Sequence, residues 1–148
     1  MVLKNFIKLT FKSIALLTMT ILFSCEEQPL FTNCEDCYPE EPTETNIVMK
    51  LDPNFGNSSP TIVTVKVYEG NLEDNILLEE YNTKSAKFEI MVDLNKLYTF
   101  TATYNDGNGN TYIAVDSATP RIRFEKNICE EACYWVYDKV VNLRIKYH

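Results

Sequence analysis

Apolar and polar residues alternate with a period of two through most of the chain from residue 47 onward. Ile47, Met49 and Leu51 fall on one face, with Val48, Lys50 and Asp52 on the other. Val63, Val65 and Val67 alternate with Thr64, Lys66 and Tyr68, and Phe88, Ile90 and Val92 with Lys87, Glu89 and Met91. Tyr98, Phe100, Ala102 and Tyr104 alternate with Thr99, Thr101 and Thr103; Val141, Leu143, Ile145 and Tyr147 alternate with Asn142, Arg144 and Lys146. Successive side chains of a strand point to opposite faces, so each run predicts a half-buried β-strand, and its β-branched and aromatic content agrees. Shorter strands are expected over 76–81, 111–115, 122–124 and 134–137.

Turn chemistry separates these runs: Pro53 and Gly56 in 52–57, Gly70 and Asn71, Gly107 and Gly109 in 105–110, and Pro120. Gly107 and Gly109 are expected to supply positive φ in a hairpin loop. About seven to nine short strands at this spacing, with no long helical period, predict an all-β fold, a single antiparallel β-sandwich. Only 128–133 reads as a short helical turn.

Before residue 47 the pattern is different. Residues 14–23 form one apolar run, diluted by Thr18 and Thr20 and preceded by Lys4, Lys8 and Lys12. Ten residues cannot cross ~30 Å of hydrocarbon as a helix, which needs about 20, but they suit the hydrophobic region of a signal peptide. Leu22-Phe23-Ser24-Cys25 closes that run and resembles the lipobox of bacterial lipoproteins. The resemblance implies that Cys25 receives a diacylglycerol thioether and becomes the first residue. Several acyl chains on one cysteine hold a protein to a membrane far more firmly than one myristoyl chain does, without spanning it. The chain therefore divides into a leader, 1–24, a tether, 25–46, and a β-sandwich domain, 47–148. Pro29, Pro39 and Pro42 break any helix or central strand in the tether.

Removing the leader sharpens the charge. The whole chain is −7; the leader holds three of its 14 bases and none of its 21 acids, so the remainder carries eleven bases against twenty-one acids, a net −10. Seven acids (Glu26, Glu27, Glu35, Asp36, Glu40, Glu41 and Glu44) precede Lys50. With no basic run to neutralise a row of phosphates, nucleic acid is not an expected partner. The acidic run reads as a solvated spacer.

Four cysteines remain: Cys34 and Cys37 in the tether, and Cys129 and Cys133 far along the domain. Outside the cytosol an even set of thiols becomes disulfides, and four allow three connectivities. Cross-pairing is favoured, because a cysteine pair in a tether makes most sense if it docks the tether. A four-thiolate zinc site uses the same ligand set but has to win against oxidation. A thioredoxin-like role for Cys34 and Cys37 lacks a βαβ context, and the adjacent acids would raise the thiol pKa. No cofactor and no metal is expected.

Catalytic chemistry is sparse. His148 is the one histidine, so Ser/His and Cys/His nucleophile systems are excluded. Adjacent acids such as Glu79-Glu80 point to opposite faces of a strand and form no dyad. Residues 105–110 with Asp116 are rich in oxygen ligands, but their spacing is not that of an EF-hand, and a plain hairpin loop is expected. Tyr134 and Trp135 are candidate ligand-binding residues for stacking on sugar rings. Alternation puts them on opposite faces, one of them in the core, with Trp135 against a disulfide.

The stretch from Leu94 and Leu97 into Tyr98, Phe100, Ala102 and Tyr104, followed by Asp106-Gly107, resembles the strand entry of transthyretin-like and carboxypeptidase-regulatory-like sandwiches. In that family the tyrosine starts a strand and locks the preceding loop. The layout of lipobox, cysteine pair in an acidic linker, one sandwich, second cysteine pair and closing strand is similar to small lipoproteins of the Bacteroidetes group. Glu26 and Glu27 after Cys25 resemble the surface-export signal of that group. These resemblances imply a non-enzymatic binding or structural module, lipid-anchored at the outer membrane and displayed on the cell surface. Its partners would be the membrane through Cys25 and a protein of an envelope complex, or alternatively a glycan.

Overall fold

The computed structural model describes residues 34, 37–126, 131 and 133–146. Cys25, Cys129 and His148, and most of the expected helical turn at 128–133, lie outside the described residues. All described residues belong to one compact unit, 33–148. Its strands are β1 (Glu44–Lys50), β2 (Val63–Glu69), β3 (Leu77–Thr83), β4 (Lys87–Asp93), β5 (Tyr98–Asn105), β6 (Thr111–Ala118), β7 (Arg121–Glu125), β8 (Cys133–Tyr137) and β9 (Val140–Asn142). A 3₁₀ turn, Leu72–Asp74, precedes β3.

The strands make an all-β sandwich. One sheet has the order β4-β1-β9 and the other β3-β2-β5-β6, while β7 and β8 form a separate two-stranded sheet. Pairing is antiparallel except between β9 and β1, which run parallel. Ile47 and Met49 of β1 oppose Ile90 and Phe88 of β4, and Tyr98, Phe100, Ala102 and Tyr104 of β5 face them from the second sheet with Val63, Val65 and Val67 of β2. Each fully buried Val, Ile or Phe adds ~1.5–3 kcal/mol relative to an exposed one. The period-two runs thus became the inner faces of the two sheets.

Two boundaries differ from the sequence expectation. β1 begins at Glu44, ahead of the expected start at 47, because Thr45 continues the inward face of Ile47 and Met49 and is itself buried. The closing run predicts a strand through 147; among the described residues only Val140–Asn142 pairs, and Tyr147 lies outside them. β1 ends at Lys50, so after Leu143 N–H donates to the Lys50 carbonyl there is no neighbour left to pair with. Leu143 stays buried all the same.

Tyr104 ties three segments together. Its hydroxyl donates to the Leu143 carbonyl at 2.8 Å and accepts from the Asp52 backbone N–H at 3.3 Å. Burial pushes its pKa up, which keeps the donating proton in place. Tyr98 is buried too; desolvation raises its pKa, with a backbone hydrogen bond at Asp93 acting the other way. Close by, the Asn95 N–H donates to the Pro120 carbonyl and Thr99 Oγ1 to the Gly70 carbonyl, which seat the 94–97 turn.

Replacing Tyr104 by Phe removes the hydroxyl and leaves the buried Leu143 carbonyl without its donor. We expect a loss of about 1–3 kcal/mol, read as a lower urea midpoint at unchanged slope.

Candidate functional site: a stapled aromatic hairpin

The β7–β8 hairpin is attached to the sandwich at its base. Asp138, at φ 55°, holds the Thr119 N–H with a carboxylate oxygen at 2.7 Å. The next residue, Lys139, accepts the Val48 N–H through its carbonyl at 2.8 Å. Arg121 lies opposite Tyr137, Ile122 opposite Val136, Arg123 opposite Trp135, Phe124 opposite Tyr134 and Glu125 opposite Cys133. Directly opposed residues share a face, so the register sorts the hairpin into two surfaces.

A staple joins the tether to this hairpin. Cys37 and Cys133 form a disulfide across 96 positions, with Cα atoms 5.6 Å apart. Cys34 is disulfide-bonded as well. Next to the staple, Tyr38 and Tyr134 exchange two backbone hydrogen bonds, 3.0 and 2.9 Å, so the tether adds one residue of strand to the free edge of β8. The tether therefore docks from Cys37 onward, as cross-pairing of its cysteines required; Cys129 is outside the described residues.

One surface is an aromatic row. Tyr38, Tyr134 and Phe124 lie side by side across the tether, β8 and β7, with the Phe124 and Tyr134 ring centroids 4.8 Å apart. Tyr38 is 42% exposed and Phe124 46%, so the row faces solvent. The other surface alternates cation and aromatic: Arg121 with Tyr137, Arg123 with Trp135. Arg123 is paired along its own strand with Glu125, whereas Arg121 makes no ion pair among the described residues.

Tyr134 and Trp135 do lie on opposite faces, but neither is core. Both are half-buried, in a sheet of only two strands and one added residue, while their neighbours Cys133 and Val136 are buried. Nε1 of Trp135 is shielded from solvent and meets no hydrogen-bond acceptor among the described residues. An unpaired buried donor costs ~1–3 kcal/mol. Tyr38, Phe124, Arg121 and Arg123 went unremarked in the sequence. The alternation of 121–125 was the available signal, together with an aromatic residue directly after a tether cysteine.

Elsewhere the oxygen-rich loop 105–110 closes on itself. The Asp106 carboxylate accepts from the N–H of Asn108 and of Asn110 and from the Asn110 side-chain amide, at 2.8–2.9 Å. These bonds, led by the Asn110 side chain, hold its pKa below the ordinary value. Asp116 is engaged separately, with the N–H groups of Ser117 and Asn142. Only Gly109 of the two glycines has positive φ, +87°. Gly56 matters more for packing: it sits at φ +67°, and a Cβ there would come within 2.7 Å of the Asp106 Cβ. The two loops meet there, and Asn57 Nδ2 donates across to the Asn105 carbonyl.

Two clefts run along the sides of the sandwich. One, of about 430 Å³, separates β6 from residues 142–146; the other, of about 320 Å³, lies between Leu78 and Glu79 on β3 and Ile90–Asp93 on β4. Among the described residues no group of three His, Cys, Asp or Glu side chains is placed to share a metal ion, and no helix is long and apolar enough to cross a membrane. Comparison with protein-family models, with curated proteins and with solved structures finds no match.

Two outcomes follow from this geometry. Replacing Cys34, Cys37 and Cys133 together by Ala opens a loop of nearly a hundred residues with no second bridge left to close it, worth about 4–5 kcal/mol in the loop-closure picture; a much smaller shift in the denaturation midpoint would contradict it. The bonds to Asp106 require its carboxylate, so their stabilisation is full above the ordinary aspartate pKa and is lost as pH falls through the lowered folded value. Protection of the Asn108 and Asn110 amides, relative to their intrinsic exchange rates, should fall in acid over that window, and Asp106→Asn should remove this pH dependence.

Proposed function

We propose that the chain is a lipid-anchored lipoprotein of the outer membrane, displayed at the cell surface, whose β-sandwich acts as a non-enzymatic binding or structural module. The Cys37–Cys133 staple carries this reading. A disulfide between a tether and a domain belongs to an oxidising compartment, which fits export through a leader ending at Cys25. The same staple ties the tether to the β7–β8 hairpin, beside an aromatic row, so an anchor on Cys25 would join there and not at the first strand. The module reading draws on the inventory of side chains, since no internal histidine is present to work with a serine or cysteine.

The aromatic row favours a glycan as the ligand of such a module. Tyr38, Tyr134 and Phe124 form a solvent-facing strip with an apolar body and two polar tips, the character that stacks on sugar rings. A protein partner in an envelope complex would draw on other surfaces, such as the exposed Ile113 and Val115 of edge strand β6.

Intact mass of the mature protein tests the anchor. It should show loss of residues 1–24 and added acyl mass on Cys25; an unmodified or differently placed N-terminus would overturn the reading. Retention on immobilised polysaccharide tests the glycan, and Tyr134→Ala with Phe124→Ala should abolish it. Recovery of a defined complex from solubilised membrane, with no polysaccharide retention, would favour the protein partner.

A further inference from the structure

The staple shortens the leash. From Cys25 to the first strand at Glu44 is 19 residues, but from Cys25 to the docked Cys37 it is only 12. Twelve residues reach at most about 40 Å, and the bond at Cys34 can only shorten that. With an acylated Cys25, the β7–β8 hairpin therefore spends its time within a few nanometres of the bilayer that holds the anchor. Its contact with that bilayer is an intramolecular event at high effective concentration.

The Arg121/Arg123/Trp135/Tyr137 surface has the composition such a contact needs. Tyr and Trp are the residues that settle at a membrane–water interface, with the apolar ring body inward and the polar edge among the headgroups. Arginine places its guanidinium at headgroup phosphates while its stem lies along apolar surface. Tyr137 is 48% exposed, and Arg121 opposite it makes no ion pair among the described residues. Tyr38 pairs on the edge of β8 that faces away from β7.

We propose that this surface is a membrane-docking face: Arg121, free of the Arg123–Glu125 ion pair, binds a headgroup phosphate, and Tyr137 with the exposed part of Trp135 seats in the interface of the bilayer that carries the anchor. The proposal rests on lipidation of Cys25. It orients the molecule, laying the hairpin on the lipid and directing the far end of the sandwich outward.

Trp135 is the only tryptophan in the chain, so its emission reports on this face alone. The full lipidated protein is reconstituted in vesicles of phosphatidylethanolamine with phosphatidylglycerol, with and without brominated acyl chains. Flotation reads the anchor and Trp135 quenching reads the docking. Docking predicts that brominated chains quench Trp135. Replacing Arg121 by Gln should raise the undocked-to-docked ratio about fivefold, the effect of one base near an anionic surface. Arg121→Glu with Tyr137→Ser should remove the quenching while flotation and the Cys37–Cys133 peptide link persist.

Protein that floats with Trp135 unquenched overturns the docking face and leaves the anchor standing. Failure to float in pure phosphatidylcholine vesicles overturns the anchor, and quenching in the anionic vesicles then judges the face by itself. Equal quenching of the doubly substituted protein overturns the assignment to these residues. A Trp135 spectral shift with soluble polysaccharide, and none with vesicles, overturns it in favour of a glycan.

Discussion

The disulfide between Cys37 and Cys133 sets the arrangement of everything on the hairpin side of the molecule. β7 and β8 are a two-stranded sheet, and two strands alone are marginal in water. Three restraints make this pair persist: the Asp138–Thr119 bond at its base, the Lys139–Val48 bond to β1, and the staple with its Tyr38–Tyr134 bridge at the other end. The first two are local to the sandwich. The third spans 96 residues and turns a spacer into part of the sheet. Without it Tyr38 has no reason to lie beside Tyr134, and the aromatic row loses one of its three rings.

The main sandwich rests on a different constraint, the burial of one face of β1, β2, β4 and β5. Tyr104 shows how polar chemistry is fitted into that apolar layer. Its ring lies in the core, 5.8 Å from Phe55, while its hydroxyl reaches the Leu143 carbonyl and the Asp52 N–H where two strands have run out of neighbours. A tyrosine at this point settles backbone groups that no ladder can settle. It also explains why Leu143 can leave β9 and remain buried.

The inner faces were legible in the sequence because burial on one side imposes a strict period of two, and Val63, Val65 and Val67 or Phe100, Ala102 and Tyr104 have no other reason to alternate. Strand ends were less so. The inward position of Thr45 has the right period but the wrong polarity, and the end of β9 depends on where its neighbour β1 stops. Cross-linking of the tether to the last third of the domain could be favoured from a cysteine pair placed in a tether, whereas the bridge at Tyr38, and which face of β7 lies beside it, could not. Those follow from register, and register is set by partners far away in the chain.

Parity and register together give the molecule a direction. An acylated Cys25 removes one cysteine from an odd set, and the remaining even set includes the pair that pins the tether to β8. Because that pin is on the hairpin, an anchor on Cys25, as proposed, would draw on the domain at the hairpin and not at β1. The rest of the sandwich, including the exposed apolar positions of edge strand β6, is then presented farther out. A tether joined directly to β1 would leave the domain free to tumble over a wider radius, with no face distinguished. The staple replaces that freedom with one attachment point, and a fixed attachment point is what the proposed role of a positioned binding module needs.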